Sequence, residues 1–181
     1  MTANRLDNDL IFVAPLPHFR QSDLAVAGGK GANLGELAQA GFNVPPGYVI
    51  TTAAYDLLLQ TNNLQARLME MISPLDAEDQ TSVAKLSQQI QDLLQEVSIP
   101  EQLADEILKA YRQLDGGAVA VRSSATAEDL PGAAFAGQQE TFLNIIGEQA
   151  LLEAVRACWA SLWSERAILY RARQNVDQGT V

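Results

Sequence analysis

Cysteine and histidine are almost missing from this chain, which carries one of each, Cys158 and His18, in 181 residues. A single thiol cannot close an internal disulfide, and neither residue can hold a metal by itself, so few nucleophile and ligand schemes stay open. Long apolar runs are missing too. None approaches the roughly 20 residues that a membrane span needs. The opening MTANRLDNDLIFVAPLP lacks the basic patch and apolar stretch of a signal peptide. The expected location is the cytoplasm, with no membrane partner. Cations are scarce: twelve Lys and Arg stand against twenty-two Asp and Glu, a net charge of −10 and a pI of about 4.4. Such a balance excludes a surface built to neutralise a nucleic-acid backbone, so no nucleic-acid partner is expected. Nucleotide phosphates remain possible ligands, provided the few cations converge.

What is present is an ordinary globular composition, 48% apolar and 19% charged, and a length that fits one domain, or one and part of another. The charge is uneven. Between Asp76 and Glu106 eight acidic residues face Lys85 alone, whereas Arg156 to Arg173 holds four arginines against Glu165. Solvated helix faces explain both blocks.

Asp9 to Leu16 reads as a short strand closed by Pro15 and Pro17. Gly28-Gly29-Lys30-Gly31 then reads as a glycine-rich turn feeding a helix over Ala32 to Ala40, with Leu34, Leu37 and Ala38 on one face and Gly41 at its stop. Tyr48-Val49-Ile50 suggests a strand, and Thr51 or Thr52 a cap for a helix containing Tyr55, Leu57 and Leu58. Val83, Leu86, Ile90, Leu93, Leu94 and Val97 recur at steps of three and four, which predicts an amphipathic helix. Pro100 starts another, carried by Leu103, Ile107, Tyr111 and Leu114 and ended by Gly116-Gly117. Ala118 to Val121 reads as a buried strand. Ser123 to Gln139 has no period and reads as a loop, with strand returning over Thr141 to Ile145. A long helix is expected from about Glu148 to Gln174, with Leu151, Leu152, Val155, Trp159, Leu162, Trp163 and Leu169 inward. The fold class is α+β: short strands with several amphipathic helices.

Three stretches can carry chemistry. In Gly28-Gly29-Lys30-Gly31, glycines admit an anion to the backbone, the following helix start offers N–H groups and Lys30 adds a mobile charge. It is neither a Walker A loop nor GxGxxG, and a tight turn with a solvent-exposed lysine would look the same. In Val121 to Pro131, Arg122 ends a strand and is followed by three hydroxyl side chains, a set able to hold phosphate oxygens. A salt bridge from Arg122 to Glu128 or Asp129 is the alternative. In Phe135 to Thr141, small residues fit a flap over a ligand, or equally a plain hairpin. His18 reads as a surface loop residue, Cys158 as a packed thiol, and Trp159 and Trp163 as core.

Taken together, Gly28 to Tyr55 (GGKGANLGELAQAGFNVPPGYVITTAAY) and Ala120 to Ile145 (AVRSSATAEDLPGAAFAGQQETFLNI) resemble the N-terminal ATP-binding domain of the phosphoenolpyruvate synthase and pyruvate phosphate dikinase family. The resemblance covers nearly the whole chain, least diagnostically over Asp56 to Leu114. It implies the first part of an ATP-grasp-like nucleotide-binding domain over residues 1–181. It assigns Lys30 and Arg122 to ATP phosphates, and Gly137 and Thr141 to the lining of the nucleotide site. The turn VRSSATAEDLP looks more like phosphoenolpyruvate synthase than pyruvate phosphate dikinase, although rifampicin phosphotransferases carry nearly the same motifs. Gly132 departs from the polar residue that many relatives have there.

In this family ATP gives its β-phosphoryl group to a histidine on a separate swivelling domain. His18 precedes the first nucleotide motif and cannot be that carrier, so no catalytic residue is expected in this chain. The carboxylates for Mg2+, the carrier histidine and the acceptor domain are expected beyond Val181. The implied reaction converts ATP, pyruvate and water to AMP, phosphoenolpyruvate and phosphate, with this chain inert alone. A stand-alone, non-enzymatic nucleotide-binding or regulatory module, with the acidic helices as partner surface, is the reading from a different class.

Overall fold

The computed structural model describes residues 11–124, 141–173 and Gln178. Strand β1, Val13–Pro15, pairs antiparallel with β2, Tyr48–Ile50, through Val13 with Ile50, Ala14 with Val49 and Pro15 with Tyr48. The strand is shorter than the sequence suggests, and its expected start at Asp9 lies outside the described residues. Pro15 has no N–H to extend the ladder, and Leu16–His18 turns into a short 3-10 helix whose first amide instead donates to Gly47 O at 2.9 Å.

Helix α1, Leu24–Gln39, corrects the expectation of a turn before a helix. Helical backbone begins upstream of the glycines and is broken at Gly28, whose φ of 67° and ψ of 172° are open to glycine. Gly29, Lys30 and Gly31 form the first turn of the second segment. Its buried face is built of small residues, among them Ala27, Gly31, Ala32 and Gly35, while Leu34 and Leu37 point outward, 36% and 42% exposed. Without side chains the helix approaches its neighbours backbone to backbone: a Cβ on Gly35 would lie 2.3 Å from Phe19 O. Gln39 Nε2 donates to Pro17 O and Phe19 O at 2.9 and 3.0 Å, tying the helix end to the same segment. Ala14, Leu16, Phe19, Ala27, Ala32 and Val49 close a small core here.

The larger core belongs to α2 (Thr52–Thr61), α3 (Leu64–Ile72), α4 (Gln80–Glu96), α5 (Glu101–Gln113), α6 (Glu148–Ser161) and α7 (Glu165–Arg173). The three-and-four periodicity of α4 buries Val83, Leu86, Ile90 and Leu94 against Leu103 and Ile107 of α5 and Leu151, Val155 and Trp159 of α6. Asp79 caps α4, accepting from the amides of Thr81 and Ser82 at 3.0 and 3.3 Å and from Ser82 Oγ at 2.5 Å.

The single long final helix does not form. The chain breaks over Leu162–Ser164 between α6 and α7, and distant side chains take the freed carbonyls: Ser87 Oγ donates to Trp163 O at 2.8 Å and Arg171 Nη1 to Leu162 O at 2.7 Å. The break turns Trp163 fully into the core, where its Nε1 donates to Tyr55 Oη at 2.9 Å and Arg171 lies 5.1 Å over its ring. Burial pushes the Tyr55 phenol up to about 12, against the pull of the Trp163 bond and the Arg171 charge, and draws Arg171 down to about 10. Cys158 and Trp159 are buried in α6 and His18 is exposed, as the sequence suggests; His18 ends the short 3-10 helix and sets its ring edge-on against Phe19.

Strand β3, Val119–Arg122, pairs antiparallel with β4, Thr141–Ile145, whose bounds match the expectation. Tyr111 at the end of α5 pins one end of this pair, where the chain enters β3 and leaves β4. Its hydroxyl shares a proton between Gly116 O and Gly117 O at 2.7 and 2.9 Å, just before β3, and accepts from Gly147 N–H at 3.0 Å, just after β4.

Candidate functional site

The two cation-bearing turns meet through one hydroxyl. Ser124, two residues beyond Arg122, accepts from the Gly31 amide at 2.9 Å and donates to the Ala27 carbonyl at 2.8 Å. Gly31 is the third residue of the segment that starts after the Gly28 break, where an amide has no partner within its own helix, so Ser124 caps it from 93 positions away. The absence of a side chain at Gly28 permits the approach: a Cβ there would fall 1.7 Å from Ser124 O and 2.6 Å from its Oγ. Lys30, half-buried in that first turn, is thereby held beside the end of β3.

Arg122 is the last residue of β3 and is exposed; its cross-strand partner is Thr141, the first residue of β4 and also exposed. Cross-strand partners present their side chains on one face of a sheet. This pairing depends on a bulge. Val119 opposes Ile145 but Val121 opposes Phe142, so β4 spends one residue more than β3, and Asn144 takes it up at φ 57°. In an unbroken register Arg122 would face Phe142, so the bulge exchanges an aromatic ring for a hydroxyl beside the arginine. Asn is among the residues that tolerate this left-handed conformation best.

Ser124 thus places the backbone turn that carries Lys30 against the segment that follows Arg122, and the strand register sets Thr141 opposite Arg122. Gly137 and Gly132, the rest of residues 125–140, and the salt bridges considered for Arg122 with Glu128 or Asp129 lie outside the described residues. Ser124 has a different part from the one its sequence position suggests. Its hydroxyl holds the protein together instead of standing free for an anion. Nothing in the spacing marks that role, because it depends on a contact across 93 residues. Among the described residues no group of three or more His, Cys, Asp or Glu side chains is placed to hold a metal, and no helix is long and apolar enough to cross a membrane.

Residues 24–181, from the first residue of α1 onward, match the family described as pyruvate phosphate dikinase, AMP/ATP-binding domain. The chain belongs to this family. Similar relatives include a probable phosphoenolpyruvate synthase of Methanothermobacter thermautotrophicus, 46% identical over 99% of this chain and 27% of the relative. A probable phosphoenolpyruvate synthase of Methanocaldococcus jannaschii is 42% identical over 96% of the chain and 15% of the relative. A rifampicin phosphotransferase of Streptomyces sviceus is 45% identical over 94% of the chain and 20% of the relative. The chain therefore spans between 15% and 27% of the length of these proteins. Within the matched residues, Ser124 joins the backbone turn that carries Lys30 to the segment that follows Arg122.

Proposed function

We propose that this chain is the N-terminal part of the ATP-binding domain of a larger dikinase-type phosphotransferase, with an ATP-grasp-like architecture completed by further chain. In this reading Lys30 and Arg122 contact the ATP phosphates, and Thr141 and Gly137 line the nucleotide site. The observation that carries it is the Ser124 hydroxyl bridging Ala27 and Gly31, which joins the lysine turn to the arginine strand in a chain of net charge −10. Two cations at one junction in an acidic protein suit a triphosphate, because charge-assisted bonds to phosphate are the strong ones. The exposed apolar residues Leu143 and Ile146, 70% and 61% accessible at the β4 end, fit a surface covered by the rest of such a domain.

The overall reaction assigned to the whole protein is that of phosphoenolpyruvate synthase. ATP, pyruvate and water become AMP, phosphoenolpyruvate and phosphate by way of a phosphohistidine on a separate domain. Phosphoryl transfer depends on positioning and on charge stabilisation around the transferring group, so this part supplies nucleotide grip and no reacting side chain, and it is inert alone. In this reading the ligands for Mg2+ come from the rest of the protein. The location assigned is the cytoplasm. Transfer to a rifampicin-like acceptor is the second reading, favoured by the near-equal identities of 46% and 45% to the two kinds of relative.

The test uses the full-length protein and ATP labelled at the β or the γ phosphorus. β label retained on the protein, with AMP released, is the expected result. Transfer of γ label with ADP as product would remove the dikinase reading. Discharge of the labelled protein by pyruvate or by rifampicin then separates the two acceptors.

A further inference from the structure

We propose that Ser124 is a positioning residue, which sets Lys30 against Arg122 without touching the nucleotide. The inference rests on the phosphate roles proposed for those two cations. A serine hydroxyl has one proton and two lone pairs. Ala27 O can only accept, so the proton lies on the 2.8 Å bond to it; the Gly31 amide can only donate, so one lone pair lies on the 2.9 Å bond from it. The hydroxyl has no proton left for a phosphate oxygen, and its remaining lone pair repels an anion. Its two partners straddle the Gly28 break and bracket Lys30 in the chain. One oxygen therefore fixes the angle between the two segments of α1 and couples that angle to the backbone two residues after Arg122. Gly28 lets the Ser124 backbone into the same break, so the main chain of the serine packs where its hydroxyl bonds.

Removal of the oxygen uncaps Gly31 and Ala27 together and frees the lysine turn to shift against the strand. A displacement of about 1 Å in a charge-positioning contact can cost on the order of 100-fold in rate. The experiment is calorimetric binding of ATP and of adenosine to the full-length protein and its Ser124→Ala, Ser124→Thr, Lys30→Ala and Arg122→Ala variants. Ser124→Ala is expected to weaken ATP about tenfold or more while adenosine changes by less than about twofold, and Ser124→Thr, which keeps the hydroxyl, to retain ATP affinity. A merely structural serine would lower both ligands alike. Equal losses for ATP and adenosine, or unchanged ATP affinity in Ser124→Ala, overturn the proposal. In the latter case, loss of ATP affinity in Lys30→Ala and Arg122→Ala leaves the phosphate reading standing, and unchanged affinity in all three removes that reading too. Should Ser124→Ala not fold, Ser124→Cys, of similar size but with a much weaker hydrogen bond, is read by the same criteria.

Discussion

A Cβ on Gly28 would lie 1.7 Å from the carbonyl oxygen of Ser124, so the break in α1 and the end of β3 are in backbone contact at a residue that must be glycine. Gly28→Ala meets both a left-handed φ of 67° and that overlap. Strain and overpacking together are expected to cost about 3 kcal/mol or more. Gly41 also has a positive φ, 84°, but nothing within 4 Å of a Cβ, so Gly41→Ala should cost only about 1 kcal/mol. Thermal unfolding of the two variants checks the difference, and equal losses would contradict the contact.

Tyr111→Phe deletes the hydroxyl that holds the Val119–Ile145 end of the β3–β4 pair, where the chain enters β3 and leaves β4. The Gly147 amide loses its acceptor, and the expected cost is about 1–3 kcal/mol. Because the bonds anchor the pair to α5, hydrogen exchange over Val119–Arg122 should accelerate more than exchange within α4. Uniform acceleration across the domain would assign the residue a general packing role instead.

At the break between α6 and α7, Ser87→Ala leaves the buried Trp163 carbonyl without its partner at 2.8 Å. The unsatisfied acceptor should cost about 1–3 kcal/mol in the unfolding free energy. Loss of less than about 0.5 kcal/mol would mean that the break is stabilised by other contacts.

The helices α4 and α5 and the strands β2 and β4 were legible because local signals decide them: apolar steps of three and four, Pro100 at the start of α5, short β-rich runs between turns. The break at Leu162–Ser164 was not, because the apolar pattern runs straight through it and its carbonyls are satisfied by Ser87 and Arg171 from elsewhere in the fold. Likewise the glycines of α1 suggest a loop by propensity, yet only Gly28 leaves helical geometry, since close packing rewards small residues over leucines here. Family motifs nominated the site residues, and the junction of α1 with β3 follows from folding. The Asn144 bulge and the part of Ser124 needed the long-range register that sequence spacing does not carry.

The Asp79 carboxyl is held below its ordinary value of 3.8 by hydrogen bonds from the Ser82 hydroxyl and amide and from the Thr81 amide. A depressed folded value contributes stability that is present above the ordinary value and is lost as pH falls through the depressed one. Asp79→Asn keeps an acceptor oxygen for the cap but does not titrate. The gap in unfolding midpoint between the wild type and this variant should therefore be largest above about pH 5 and shrink on acidification. A gap independent of pH would show that the cap does not depend on the charge.

The most direct test of the account is ATP-dependent phosphorylation of the full-length protein carrying Lys30→Ala or Arg122→Ala. Each removes a cation proposed to hold phosphate oxygens, so each should reduce phosphorylation by about 100-fold or more while the unfolding midpoint stays near that of the wild type. Wild-type phosphorylation in both variants would contradict the placement of the nucleotide at the junction of α1 and β3.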